Sequence, residues 1–183
     1  MNLPASVEGR ERLRLFCALR LPDAALDVLS EWQAANLQDA RIVPPEHLHL
    51  TLAFLGHRPV GELPEIAASL QETAAAAEPI RFLPDRYRET RSVAMLVLKD
   101  LTGAAAELAD ALFARLEQAG VYQREARPWL PHVTVLRFRR PPRLKPPLPE
   151  LGEFAPSDAA VFLSELRPSG ARYVVVESFA LGG

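Results

Sequence analysis

One four-residue pattern occurs twice in the 183-residue sequence, and this repeat constrains the fold more than any other feature. The order is histidine, apolar residue, threonine, apolar residue; the first copy begins at His49 and the second at His132. The chain has only four histidines, so a chance repeat of this spacing is improbable. The repeat predicts two equivalent local structures within one chain.

Strand geometry gives the repeat a chemical meaning. Side chains alternate between the two faces of a β-strand, so a histidine and a threonine two residues apart lie on the same face. Each copy would present an imidazole and a hydroxyl side by side, while apolar residues anchor the strand from behind. Those apolar residues are Leu50, Leu52, Val133 and Val135. We therefore expect a duplicated lobe whose two halves meet at a cleft.

Hydrophobic periodicity and turn residues predict the remaining elements. The predicted strands are residues 12–21, 47–55, 92–98, 132–138, 159–166 and 172–181; the predicted helices are residues 24–37, 61–77 and 102–120. Interleaved strands and helices with a closing hairpin favour an α+β fold with mostly antiparallel sheet. Because no segment is long enough to be an interdomain linker, we expect residues 1–183 to form a single domain of two interleaved lobes, with one motif in each.

The composition is that of an ordinary globular chain with uneven charge. Apolar residues make up 49% and the formal net charge is −2, so the molecule as a whole does not attract nucleic acid. Basic residues nevertheless cluster at residues 10–14, 81–91 and 137–145, where they could bind phosphate or form a solvated face. The single cysteine, Cys17, excludes an intramolecular disulfide, and no stretch resembles a signal peptide or a membrane span. We expect a cytoplasmic protein without a membrane partner.

Two imidazoles suit general acid–base chemistry. Histidine has an unperturbed pKa of about 6.5, so one ring can accept a proton while the other donates one. Opening a cyclic phosphodiester requires both a base that activates water and an acid that protonates the departing ribose oxygen. Thr51 and Thr134, each beside its histidine, could donate hydrogen bonds to phosphate oxygens. This set requires no metal and no cofactor.

The segments RIVPPEHLHLTLAFLG and RPWLPHVTVLRF resemble the two signature motifs of the 2H phosphoesterase superfamily. More narrowly, they are similar to those of the RNA 2',3'-cyclic phosphodiesterases, historically called 2'-5' RNA ligases. The resemblance implies two pseudo-symmetric lobes of sheet, with helices on the outer faces and a central cleft. It also implies catalytic roles for His49 and His132, phosphate binding by Thr51 and Thr134, and substrate contact by Arg137.

The resemblance further implies the reaction. The substrate would be an RNA with a 2',3'-cyclic phosphate terminus, or a small nucleotide, and the product would carry a 2'-phosphate. On this analogy His49 is the acid at the 3' oxygen and His132 is the base, in a monomeric enzyme. Relatives usually carry a Gly-x-Phe-Pro-like turn before the middle strand and an aromatic residue within it. Here the chain has residues 85–91 and Met95 instead, so the resemblance does not extend to the RNA contacts that relatives make from this region.

Three residues keep alternative interpretations. Phe16 could face the cleft and stack on a nucleobase, or it could pack in the core. Arg137 could be an ordinary surface arginine. His47 precedes His49 by two residues, so the pair could hold a metal, although no third ligand is evident and a supporting role for His47 is favoured.

Other functions also remain open at this stage. The same residues could hydrolyse 2'-5' linked oligonucleotides or small cyclic nucleotides. They could also join 2'-5' RNA ends, which is the same chemistry run backwards. A module that only binds RNA or nucleotides is the alternative outside enzymes, but both histidine–threonine pairs are intact, which argues against a loss of catalysis.

Overall fold

The computed structural model describes residues 7–37, 41–168 and 170–182. It contains two four-stranded antiparallel sheets, which confirms the predicted α+β class. The strands are β1 (Arg12–Arg20), β2 (Arg41–Ile42), β3 (His49–Pro59), β4 (Phe82–Glu89), β5 (Val93–Asp100), β6 (His132–Arg137), β7 (Ala159–Arg167) and β8 (Gly170–Phe179). Sheet A has the strand order β3-β1-β7-β8, and sheet B has the order β2-β6-β5-β4.

The two copies of the motif lie on different sheets. His49 begins β3 at the edge of sheet A, and His132 begins β6 in the interior of sheet B. The predicted alternation is confirmed in both strands, because the histidines and threonines are only partly buried while their apolar neighbours lie in the core. Each sheet therefore presents one imidazole and one hydroxyl on the face turned away from the core.

Three helices complete the core: α1 (Asp23–Asn36), α2 (Leu63–Ala75) and α3 (Ala104–Gln118). In α3 the buried apolar residues recur at helical spacing, as Leu108, Leu112 and Leu116 show. α2 packs against β7 and β8, and α3 contacts a strand of each sheet. Buried side chains of both sheets and all three helices belong to one continuous cluster, so the two lobes share a core. None of these helices has the length and apolar character needed to cross a membrane.

Sheet A carries a second, smaller apolar cluster on its other face. It consists of Phe16, Ala18, Ala160 and Phe162. Phe16 lies opposite Phe162, and Ala18 lies opposite both Ala160 and Thr51. Because residues directly opposite one another share a face of the sheet, this cluster lies on the same face as the first motif.

Two side chains connect the lobes. The buried amide of Gln33 in α1 donates to the carbonyl of Val43 at 3.0 Å and to the carbonyl of Val135 in β6 at 2.8 Å. The indole nitrogen of Trp129 donates to the carbonyl of Thr51 at 3.0 Å, which joins the segment before β6 to β3. Hydrogen bonds between buried groups are costly to leave unmade, so these contacts hold the two motif strands in a defined relation.

The predicted strand at residues 47–55 is wrong at both ends. His47 ends a 3-10 turn (Pro45–His47), and the strand begins only at His49. Gly56 does not end it, because glycine accommodates a φ of 68° without a Cβ clash and β3 continues to Pro59. As a result, His47 and His49 are not alternate residues of one strand, and the periodicity argument for a metal pair does not hold.

β4 is absent from the elements predicted by the sequence pattern. Its residues, FLPDRYRE, include a proline and four charged side chains, which are unfavourable in a strand interior. The segment forms a strand because it is the edge of sheet B and pairs with β5 over its whole length. Edge strands tolerate proline and charge, since one side of their backbone faces solvent.

Candidate active site

A cleft with a volume of about 920 Å³ lies between the two sheets. It brings together every site residue predicted from the sequence: Phe16, His49, Thr51, His132, Thr134 and Arg137. The two motifs are far apart in sequence, yet both contribute to the same cavity. The prediction that the two halves of the chain meet at a cleft is therefore confirmed.

Both histidines are held in the same way. Nδ1 of His49 donates to the carbonyl of His47 at 2.8 Å, and Nδ1 of His132 donates to the carbonyl of Leu130 at 2.8 Å. A carbonyl oxygen can only accept, so each Nδ1 carries the proton. In each ring Nε2 is then the nitrogen that can accept or release a proton in the cleft. The backbone two residues before each motif thus selects the tautomer.

The hydroxyl of Thr51 lies beside the reactive nitrogen of His49. Oγ1 of Thr51 and Nε2 of His49 are 3.1 Å apart, so the threonine donates to the neutral imidazole in the empty cleft. A threonine hydroxyl rotates freely and could redirect this hydrogen to an anionic oxygen. The pairing of imidazole and hydroxyl predicted for a strand is thus present in sheet A as a direct contact.

Burial controls the charge of His49. Loss of solvent is the main cause that lowers the pKa of this imidazole to about 4, although the hydrogen bond to the carbonyl of His47 opposes the shift. Positive charge on His47, Arg137 and His132 lowers the pKa slightly further. His49 is therefore neutral at pH 7 while the cleft is empty, and an anion in the cleft would favour its protonation.

Phe16 has a different position from the one expected of a base-stacking residue. Its side chain is 2% exposed, and its ring lies 4.9 Å from the rings of both His49 and Phe162. The ring faces the cleft side of sheet A but is covered by these neighbours, so it has almost no free surface for a nucleobase. Phe16 instead packs its ring against the imidazole of His49.

Phe54 is the aromatic residue that the sequence pattern missed. Strict alternation from His49 would place Phe54 in the core with Leu50, but its side chain is 49% exposed and lines the cleft. The pairing with β1 is interrupted here: Ala18 lies opposite Thr51, whereas Cys17 lies opposite Ala53. This bulge at Leu52 turns Phe54 to the face of Thr51. In the structure Leu52 and Ala53 are consecutive core residues, but the sequence shows only an unbroken apolar run over residues 52–55.

The cleft is strongly cationic although the whole chain is not. Among the described residues, five arginines line it against one carboxylate, that of Glu46; the arginines are Arg14, Arg41, Arg137, Arg167 and Arg172. The guanidinium of Arg14 donates to Ser164 at 2.8 Å and lies 4.8 Å from the ring centre of Phe54. Sequence analysis singled out only Arg137 from this set. The remaining four come from β1, β2 and the β7–β8 hairpin and are brought to the cleft by the fold.

His47 lines the cleft, but its ring contacts Tyr173 with a centroid separation of 4.7 Å. Its backbone carbonyl is the group that orients His49. Within residues 7–37, 41–168 and 170–182, no three His, Cys, Asp or Glu side chains are grouped so that they could hold a metal ion.

The pKa of His49 leads to a direct test. We expect its imidazole to titrate near pH 4 in the empty protein and at higher pH with inorganic phosphate in the cleft, because an anion offsets the cost of burying the charge. Since the folded pKa lies below the unfolded value of about 6.5, His49 should also reduce stability as pH falls from about 6.5 towards 4. Long-range 1H–15N NMR measures both the titration and the tautomer, and His49→Gln assigns the signals. A pKa near 6.5 or a proton on Nε2 of the neutral ring would contradict the structure.

Comparison with known proteins places the chain in a family. The sequence pattern of the 2'-5' RNA ligase superfamily matches residues 21–167. The chain is 35% identical over 187 residues to an RNA 2',3'-cyclic phosphodiesterase of Thermus thermophilus, and the match covers 93% of this chain and 91% of that protein.

Solved structures agree in fold. A crystal structure of a Thermus thermophilus protein has a TM-score of 0.78 at 32% identity, with 92% of this chain and 98% of that chain covered. Escherichia coli LigT complexed with NADP+ has a TM-score of 0.79 at 25% identity, with 95% and 100% covered. The two histidine motifs, the two-sheet fold and these matches agree, and the chain belongs to the 2'-5' RNA ligase superfamily of 2H phosphoesterases.

Proposed function

We propose that this protein hydrolyses the 2',3'-cyclic phosphate at the end of an RNA and leaves a 2'-phosphate; its Thermus thermophilus relative is named an RNA 2',3'-cyclic phosphodiesterase. The observation that supports this most is the matched pair of imidazoles. His49 and His132 line one cleft, and each has its Nδ1 hydrogen committed to a backbone carbonyl, so that Nε2 is the nitrogen available for proton transfer. Opening a cyclic phosphate with water can use one such group as the base and the other as the acid.

The reaction balances with these two groups alone. Nε2 of His132 removes a proton from water as the water oxygen attacks phosphorus. The bond from phosphorus to the 3' oxygen breaks, and Nε2 of His49 gives its proton to that oxygen. The product retains the phosphate on the 2' oxygen. Afterwards His132 carries the proton and His49 lacks it, so exchange with solvent restores the starting state.

His49 needs a proton to act as this acid, although it is neutral in the empty cleft. The cyclic phosphate carries one negative charge, and its entry raises the pKa of a buried imidazole beside it. The proton on His49 would therefore arrive with the substrate.

The surrounding groups suit an anionic substrate. Thr51 and Thr134 can donate to the non-bridging phosphate oxygens, and Arg137 supplies a fixed positive charge at the same cavity. Phe54 offers an exposed ring to the terminal base, beside the guanidinium of Arg14. We propose that the two lobes act as one monomeric domain and that the reaction needs no metal.

Activity in the absence of metal tests this proposal. We expect the protein to convert a short RNA ending in a 2',3'-cyclic phosphate to the 2'-phosphate in excess EDTA. His49→Ala and His132→Ala should each lower kcat/KM about 10²–10⁴-fold, because each removes a general acid or base. His57→Ala is the matched control, since His57 is an exposed histidine further along β3. Product identity follows from mass spectrometry and 31P NMR.

Three results would count against the proposal. A requirement for an added divalent ion would contradict the metal-free reaction. Equal losses of RNA binding and turnover in the two histidine variants would favour a protein that only binds RNA. Turnover of 2'-5' linked oligonucleotides or small cyclic nucleotides, but not of RNA ends, would show that the RNA 2',3'-cyclic phosphate is not the substrate.

A sulfur substitution separates the acid from the base. When sulfur replaces the 3' bridging oxygen of the cyclic phosphate, the leaving thiolate no longer needs a proton. We expect this substrate to restore most of the activity that His49→Ala loses, and little of the activity that His132→Ala loses. The rates of both variants on the oxygen and sulfur substrates give the answer, and the opposite pattern would exchange the two roles.

Phe54 is the third target. Phe54→Ala should raise KM for a short RNA end about 10-fold with little change in kcat, because stacking of a base on an aromatic ring contributes about 1–3 kcal/mol. Phe54→Trp should retain the wild-type KM. Leu101→Ala is the control, since Leu101 is an exposed apolar residue in the turn after β5. A fall in kcat at constant KM would show that Phe54 acts on the reaction rather than on binding.

A further inference from the structure

Six basic residues that the site leaves unexplained gather outside the cleft, around the turn between β4 and β5. All six are exposed, and they are called the basic rim: Arg88, Arg91, Arg139, Arg140, Arg143 and Lys145. They belong to two of the three basic clusters of the sequence, at residues 81–91 and 137–145. The fold brings these two clusters side by side.

The strand register connects the basic rim to the second motif. Thr134 in β6 lies opposite Met95 in β5, and Met95 lies opposite Arg88 in β4. Opposite residues share a face, so Arg88 lies on the same face of sheet B as the motif hydroxyl. Two strand spacings separate them, which is roughly 10 Å between backbones. The face that carries Thr134 thus continues outwards to a cation on the edge strand.

The loop after β6 is held against the same turn. The backbone nitrogen of Phe138 donates to the carbonyl of Ser92 at 3.0 Å, which sets Arg139 next to the β4–β5 turn. The carboxylate of Glu89 accepts from the backbone nitrogens of Arg143 and Leu144 at 2.9 and 2.8 Å. Arg143 has a φ of 58°, a conformation that is costly for arginine and is stabilised here by these two bonds.

The carboxylate of Glu89 lies among these cations, but it is hydrogen-bonded to backbone nitrogens and to the Tyr87 hydroxyl. Among the residues the structure describes, no member of the basic rim forms an ion pair with a carboxylate. The β7–β8 hairpin is different, because Glu165 pairs with Arg10 at 2.8 Å, with Arg167 at 3.0 Å and, more distantly, with Arg172 at 4.0 Å. These arginines hold the pKa of Glu165 below its usual range. A polyanion leaving the cleft would therefore find unpaired cations on the side of the basic rim.

We propose that the basic rim binds the backbone phosphates of single-stranded RNA on the 5' side of the nucleotide being hydrolysed. This inference rests on the proposed function, because it places the terminal phosphate between the two histidines. A row of separate exposed cations suits a flexible chain with one charge per nucleotide. An RNA chain would then contact both the cleft and the basic rim, whereas a cyclic mononucleotide would contact only the cleft.

The test compares two substrates with the same reacting end. One is cytidine 2',3'-cyclic phosphate, and the other is a ten-nucleotide single-stranded RNA that ends in the same nucleotide. The wild-type protein should have a kcat/KM at least about 10-fold higher for the longer substrate, and Arg88→Ala/Arg91→Ala should lower that ratio about 10-fold. The plot of log kcat/KM for the RNA against log salt concentration should become less steep by about 1.4, because two phosphate contacts are lost.

The same hairpin supplies a matched control. Arg81 and Lys99 lie at the opposite end of β4 and β5, are exposed, and also form no ion pair with a carboxylate among the described residues. Arg81→Ala/Lys99→Ala removes the same charge from the same element and should keep the wild-type ratio and salt dependence. Arg139→Ala/Arg140→Ala should repeat the loss from the neighbouring loop, which covers the case in which a β4 variant fails to fold.

The outcomes separate the two proposals. If hydrolysis is normal and the ratio of kcat/KM for the RNA to kcat/KM for the mononucleotide is equal in wild type and both rim variants, the basic rim does not bind RNA. The proposed function would then be unaffected. Absence of hydrolysis of either substrate, with RNA affinity that still depends on the rim in a fluorescence anisotropy assay, would overturn the proposed function and keep the rim as an RNA-binding surface. An equal effect in the Arg81→Ala/Lys99→Ala control would show that only net charge matters and would also overturn the rim.

Discussion

Two hydrogen bonds from imidazole to backbone determine what the cleft of this protein can do. In each motif the Nδ1 hydrogen is committed to the carbonyl two residues earlier, which fixes both the orientation of the ring and its tautomer. This bond needs a chain that enters the strand in a defined conformation, and the 3-10 turn before His49 supplies it in sheet A. Without this constraint the two rings would be ordinary strand histidines.

The relation between the two rings depends on contacts that cross the lobes. Gln33 and Trp129 join carbonyls of one motif strand to elements of the other half of the chain, and one shared core lies beneath both sheets. Hydrogen bonds to groups withdrawn from solvent are costly to break, so these contacts favour one relation between the two motif strands. A reaction that requires an acid on one side and a base on the other depends on this rigidity.

Charge is unevenly distributed over a chain that is nearly neutral as a whole. The formal net charge is −2, yet the cleft lining contains five arginines and one carboxylate in the part of the chain that the structure describes. Surface arginines near the β7–β8 hairpin pair with a carboxylate. The arginines and the lysine of the basic rim have no carboxylate partner among the described residues. Burial and the neighbouring positive charges keep His49 neutral in the empty cleft, and an anion bound there would favour its protonation.

The sequence by itself determined the two His-x-Thr strands and the α+β class, because side-chain alternation and helical periodicity are local properties of the chain. Tertiary structure decided the rest. The bulge that turns Phe54 into the cleft depends on register with β1, the strand at β4 depends on pairing with β5, and the burial of Phe16 depends on Phe162. Register, pairing and burial join residues that are distant along the chain, so no local pattern contains them.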